Sequence, residues 1–273
     1  MHIFYVQGGG LGHLTRTHAL IKTLRIPAKD VRIITPSAFT GYFKEYTFIK
    51  ISWNAATSRW SKVIIDTILS YDNITFCVDT FPFGLRGELQ KVYKTIPEIN
   101  CTYISRILKW QKYLGTLTEK NSIEFSETIL LEELYPEHLT WIQQHSKKTT
   151  QLTLDYEPVS PTPFLDIPYA MIVHSGGKED VLHIIHRALE DLQNNSEIPL
   201  VVFTQVDISI NNSKIIIHQN VYPVSKYYHH AEIIYTAAGF NSIQELREYK
   251  DKHIAIPLKK LYDDQFFRNA NRF

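Results

Sequence analysis

Short apolar runs alternate along this chain with longer stretches in which apolar residues recur every three or four positions. HIFYVQ, VRIITP and NITFCVDT read as strands, and THALIKTLR as a helix. SKVIIDTILSY, RGELQKVYKTI, CTYISRIL and ETILLEELY continue the alternation, which predicts a parallel sheet with crossover helices. The periodicity fades near residue 148. The stretch QQHSKKTTQLTLDYEPVSPTPFLDIP holds four of the 12 prolines and reads as a linker over residues 148–167. The alternation then restarts. YAMIVHSGG is a strand ending in glycines, and KEDVLHIIHRALEDLQ carries helical spacing at Val181, Ile184, Ile185, Ala188, Leu189 and Leu192. PLVVFTQV, KIIIHQ and AEIIYTAAG follow as strands, NSIQELREY as a helix, HIAIPL as a strand and YDDQFFRNANRF as a last helical piece. The expectation is two α/β domains of similar design, 1–147 and 168–273, each opening with strand, glycine turn and helix.

Composition narrows the function. A net charge of +1 over 273 residues argues against a nucleic-acid partner. The two cysteines, Cys77 and Cys101, lie in strand-like runs and read as buried thiols of a reducing compartment, not as a disulfide or zinc site. No signal peptide or transmembrane run is visible, so the expected place is the cytoplasm. GYFKEYTFIK and LKWQKYL mix bases with aromatics; they read as amphipathic surface, with peripheral contact to a membrane as the alternative.

The 11 glycines cluster where strands meet helices. In QGGGLGHLTR, Gly8, Gly9, Gly10 and Gly12 fall within five positions, at a place where backbone N–H groups and a helix N-terminus can face an anion. Two familiar cofactor schemes fail. The dinucleotide fingerprint would need a glycine at His13 or Thr15, and an acidic end to a second strand that instead closes with Thr35 and Pro36. The phosphate loop of nucleotide triphosphatases needs Gly-Lys-Ser/Thr, which is absent. His13, at the first turn of the first helix, is a candidate general base, kept neutral by the helix N-terminus. Arg16 lies one turn on, placed to meet an anion, with a surface salt bridge as the plainer reading. Asp79, at the end of NITFCVD, reads as a turn residue, with an acid–base role as the alternative. In the second half, Ser175, Gly176 and Gly177 form one strand-end loop, and Gly239, Asn241 and Ser242 another, with Asn241 and Ser242 as candidate N-caps. Glu245 has capping-box spacing from Ser242, or it accepts from ribose hydroxyls. Asp263, Asp264 and Gln265 are a sugar-holding trio or an acidic helix start. His183 and His186, three apart, lack further ligands for a metal.

Taken together, GGGLGHLTR and AAGFNSIQEL…PLKKLYDDQFFRNA resemble the GT-B glycosyltransferases, in particular the branch that holds the lipid II N-acetylglucosaminyltransferase of peptidoglycan synthesis (glycosyltransferase family 28-like). VDTFPFGLRGEL is similar to a group of glycosyltransferases of the same fold. The resemblance implies two Rossmann-like domains facing across a cleft and transfer of a sugar from a nucleotide diphosphate sugar, UDP-linked, to a glycan or lipid-linked acceptor, without cofactor or metal. It implies that Gly9, Gly10 and Gly12 approach the diphosphate or acceptor, and that Ser175, Gly176 and Gly177 meet the nucleotide. Gly239, Asn241 and Ser242 would bind phosphate, Glu245 the ribose, and Asp264 and Gln265 the donor sugar. Trp53 to Trp60 would line the acceptor platform. Two other readings follow from resemblance. Gly10, Gly12, His13 and Arg16 match the G-x-G-H-x-x-R of nucleotide-sugar hydrolases of the pseudaminic acid pathway, in which the histidine would activate water. The chain also ends earlier than members of the branch, which suits a homodimer or a non-catalytic, nucleotide-sugar-binding subunit of a two-part transferase.

Overall fold

The computed structural model describes residues 1–118, 123–192 and 197–272. The chain forms two compact units, Met1–Asp155 with Leu261–Asp263, and Tyr156–Lys260 with Asp264–Phe273.

The first unit is a seven-stranded parallel sheet. Its strands are β1 (His2–Tyr5), β2 (Val31–Thr35), β3 (Thr47–Lys50), β4 (Thr75–Asp79), β5 (Cys101–Ser105), β6 (Glu127–Leu130) and β7 (Thr149–Gln151). They run in the order β3-β2-β1-β4-β5-β6-β7. From β1 the chain builds outward to β3, then returns to place β4 on the other side of β1, with Tyr5 beside Val78. The order reverses between β1 and β4, and a crevice opens at such a reversal, outside the carboxyl ends of the strands. The crossover helices α1 (Leu11–Thr23), α2 (Thr57–Leu69), α3 (Leu89–Thr95), α4 (Trp110–Leu114) and α5 (Pro136–Gln144) join the strands. On α2, Trp60, Ile64 and Ile68 are buried at helical spacing against Ile3, Tyr5 and Leu89. β7 falls within the stretch expected as linker, and β3 within the run expected as amphipathic surface. Both are edge strands of mixed polarity, such as TTQ, and carry little apolar signal.

The second unit is a five-stranded parallel sheet of β8 (Ala170–His174), β9 (Leu200–Thr204), β10 (Ile215–Gln219), β11 (Ile233–Ala237) and β12 (His253–Ile256). Its order is β10-β9-β8-β11-β12, so the reversal lies between β8 and β11. The helix α6 (Lys178–Asp191) buries Val181, Ile184, Ile185 and Ala188 on the sheet, the stripe that its spacing predicts. α7 (Phe240–Glu245) follows β11, and α8 (Gln265–Ala270) closes the described chain. The two sheets bear out the fold expected from the alternation: two Rossmann-like units. Both cysteines are buried and unbridged, and burial pushes the Cys77 thiol up to about 12.

Candidate functional site

Unit one places its chemistry at the reversal of its sheet. The apolar strand β1 ends in Gln7 and runs into the glycines before α1. Gly8 is buried, and a Cβ there would stand 2.3 Å from Cδ2 of His13. Only a residue without a side chain lets the imidazole lie against this turn. Gly9 and Gly10 are exposed, and nothing stands within 4 Å of where their Cβ atoms would be. Gly10 is the N-cap of α1, with no side-chain cap and no acidic residue in the first turn.

His13 Nδ1 lies 2.7 Å from Oδ2 of Asp79, the last residue of β4. The imidazole side chain is 20% exposed and the carboxylate 5%. Arg16, one helical turn beyond His13, donates from Nε to Asp79 Oδ1 at 2.9 Å and from Nη2 to Oδ1 and Oδ2 at 2.8 and 2.7 Å. Burial raises the Asp79 carboxyl, but the Arg16 charge and the His13 hydrogen bond outweigh it and hold the group well below the ordinary range. Burial likewise lowers His13; the bond to Asp79 opposes this in part, and Arg16 adds to it. Arg16 Nη2 also lies 3.1 Å from Nδ1, but the charged carboxylate is nearer, at 2.7 Å, and can only accept; it favours a proton on Nδ1, which leaves the lone pair of neutral His13 on Nε2. The arrangement is a base oriented by a buried acid.

Two expectations change here. Arg16 is neither a surface residue nor an arm toward an outside anion: it is buried and committed to Asp79 and to Thr80 Oγ1, 2.9 Å away. Asp79 is the residue that sequence reading ranked too low. Its partners are 63 and 66 positions away, and only the adjacency of β1 and β4 brings them together. A second arginine, Arg106, follows β5 and pairs with Asp263 at 2.6 Å. Trp60 lies in the core, away from any platform, while Trp53 is exposed.

In unit two, Ser175, Gly176 and Gly177 form the loop after β8, and Ala238 and Gly239 the loop after β11; these strands are hydrogen-bonded neighbours. A Cβ on Gly176 would stand 2.3 Å from Nε2 of His174. His174 lies 3.5 Å from Asp180 Oδ2, which also accepts from Lys260 Nζ. The His174 bond, then Lys260, hold the Asp180 carboxyl down to about 2 against the effect of burial. Gly239, rather than Asn241 or Ser242, is the N-cap of α7, so Glu245 ends that helix instead of closing a capping box. Asn241 Oδ1 accepts from Tyr156, and Glu245 Oε2 from Tyr228 at 3.2 Å. Burial raises the Glu245 carboxyl to about 7. Asp264 caps α8, accepting from the N–H groups of Phe266 and Phe267, while buried Gln265 accepts from Leu258 N–H at 3.0 Å. The acidic helix start thus describes Asp264, and Asp263 belongs to the first unit. His183 and His186 are exposed on α6, and His186 pairs with Glu190. Among the described residues no group of three or more His, Cys, Asp and Glu is placed to hold a metal ion, and no helix is long and apolar enough to cross a membrane.

No protein-family profile and no curated protein matches the chain. Solved structures do. Arabidopsis thaliana UGT89C1 complexed with UDP-L-rhamnose is similar over 98% of this chain and 81% of its own, at 14% identity and TM-score 0.59. The glycosyltransferase SnogD from Streptomyces nogalater covers 95% and 82%, at 12% and 0.55. Acinetobacter baumannii MurG covers 98% and 82%, at 14% and 0.50. At such identities the likeness is one of fold: this chain has the GT-B fold.

Proposed function

We propose that the protein is a glycosyltransferase that moves a sugar from a nucleoside diphosphate donor, UDP-linked, to an acceptor hydroxyl, with His13 as the base. The observation that carries this reading is the His13–Asp79 pair at the reversal of the first sheet, beside two uncovered glycines. Nε2 takes the hydroxyl proton as the oxygen bonds to the anomeric carbon, and the bond from that carbon to the diphosphate breaks. Asp79 holds the imidazolium that forms. One base with direct displacement inverts the anomeric centre. The loops of Ser175, Gly176 and Gly177 and of Gly239, Asn241 and Ser242 meet the nucleotide and the departing diphosphate through N–H and hydroxyl groups, in place of a metal. Glu245 takes the ribose, and Asp264 and Gln265 the sugar, while Asp264 also caps α8 and Gln265 also holds the Leu258 N–H. Gly9, Gly10 and Gly12 lie toward the acceptor. Arg16 acts through Asp79.

The fold neighbours support the class. One is complexed with UDP-L-rhamnose and another, a spinosyn rhamnosyltransferase, with thymidine diphosphate. Likeness to MurG is compatible with hexosyl or N-acetylhexosaminyl transfer to a glycan or lipid-linked acceptor of the cell envelope, at the inner face of the membrane. The test is a thermal-shift panel of nucleotides and nucleotide sugars, then a product assay with the best donor, with and without acceptors. Sugar appearing on an acceptor supports the reading. Free sugar released equally without any acceptor replaces it with hydrolysis, His13 then activating water. Donor binding with no turnover leaves a nucleotide-sugar-binding subunit.

A further inference from the structure

We propose that Thr80 is the positioning residue of this site, fixing the carboxylate of Asp79 behind His13, and that Tyr103 locks it in place; the inference rests on reading His13 as the base. Thr80 immediately follows Asp79 and is fully buried. Its φ is +66°, in the left-handed region, which crowds a β-branched side chain. Nearby, at Gly84 and Gly87, φ values of +81° and +79° are met with glycine, the residue that a bare backbone need would select. A threonine in this conformation is held there by what its polar atoms do.

All three are used. The hydroxyl accepts from Arg16 Nη2 at 2.9 Å and from Arg106 Nε at 3.2 Å. It thereby sets the plane of the guanidinium that grips both oxygens of Asp79. The N–H donates to Ile104 O at 2.9 Å, and the carbonyl accepts from Tyr103 Oη at 2.8 Å. Both bonds tie the turn to β5, the strand next to β4. Tyr103 Oη stands 3.3 Å from Nε2 of His138, a buried ring stacked on Trp110. Burial lowers His138 to about 3, so the ring is neutral. With its proton on Nε2 it donates to a tyrosine whose own proton is given to Thr80. The chain of bonds has one direction and ends on the turn that aims Asp79. Displacing that carboxylate would leave His13 without its orienting acceptor, and misplacement of a reacting group by about 1 Å costs on the order of 10²-fold in rate.

The test compares Thr80→Val, which removes the hydroxyl and keeps the shape, Thr80→Ser, which keeps the hydroxyl, and Tyr103→Phe. Each is measured for kcat, donor KM and the histidine titration of the resting protein by NMR. For Thr80→Val we expect kcat at least ~10-fold lower, donor KM within ~3-fold, and a lower His13 pKa as the carboxylate withdraws. Thr80→Ser restores all three, and Tyr103→Phe moves them in the Val direction by less. Wild-type kcat and His13 titration in Thr80→Val, or a Ser variant as impaired as the Val variant, overturns the proposal. Should Thr80→Val fail to fold, an unchanged His13 titration in Tyr103→Phe overturns it. The titration needs no turnover, so the positioning role is decided even in a protein that proves not to be a transferase. A wild-type chain whose His13 responds as expected but which transfers nothing counts against the base reading alone.

Discussion

The two units set the same device in opposite senses. In each, an imidazole lies over a glycine that has no room for a Cβ, Gly8 under His13 and Gly176 under His174. In the first unit the histidine is on the helix and its acid ends a neighbouring strand, 66 positions away. In the second the histidine ends the strand and its acid is on the following helix, six positions away. The first acid is buried and gripped by a buried arginine; the second is gripped by Lys260, whose side chain is 32% exposed. A local pair can form on any strand–helix turn. A pair assembled from two elements at a sheet reversal, and sealed from water, fixes a tautomer and leaves one nitrogen for chemistry. The motif of glycines and histidine therefore does not by itself mark a base; the origin and burial of the acid do.

The comparison can be broken most directly at the histidines. His13→Ala should lower kcat by at least ~10² with nucleotide affinity retained, whereas His174→Ala should move donor KM and leave kcat within several-fold. Equal losses of kcat in steady-state assays would remove the distinction. Next come the acids. Asp79→Asn leaves Arg16 as an uncompensated buried charge and should cost about 3–5 kcal/mol in denaturant unfolding. Asp180→Asn frees a lysine that can reach water, and should cost about 1 kcal/mol or less.

The glycines give a smaller effect. Gly8→Ala drives the His13 ring off its seat and should lower kcat by ~10-fold or more. Gly9→Ala and Gly10→Ala meet nothing in the free protein, so their melting temperatures should stay near wild type. Glu245 gives an effect that depends on pH. Its carboxyl sits at about 7 in the folded chain against an ordinary 4.5. Between these values the folded state holds a proton that the unfolded state has lost, so stability should fall as pH rises from 4.5 to about 7. The penalty above 7 is a few kcal/mol at most, at ~1.4 kcal/mol per unit. Glu245→Gln should flatten that slope. Ribose hydroxyls donating to the carboxylate would favour its charged form, so UDP binding near pH 6.5 should release protons. Calorimetry in buffers of different ionisation enthalpy would detect them.

Much of this molecule was legible in the order of its residues. Apolar strands of four or five residues followed by glycine turns gave both units, and the helical stripe of α6 lies where its spacing puts it. The edge strands β3 and β7 were not legible, because TFIK and TTQ are short and of mixed polarity, whereas the edge strands β10 and β12, IIIHQ and HIAI, keep an apolar signal. The site was half legible. His13 and its glycines are neighbours in sequence, but Asp79 reads as a turn residue until β4 is known to lie against β1. Arg16 reads as surface until the same contact buries it. Sheet order, which no local pattern encodes, converts these separate residues into one apparatus.

The return of Leu261–Asp263 to the first unit bears on how chains of this fold can be recombined. Tyr262 accepts from the Lys109 N–H at 2.7 Å and sets its ring edge-on to Phe81, and Asp263 pairs with Arg106. The first unit is thus not a contiguous cassette. A chimera made by joining residues 1–155 to the second half of another chain brings three foreign residues onto Phe81, Arg106 and Lys109. Grafting Leu261, Tyr262 and Asp263 back into the incoming half would restore the native fit.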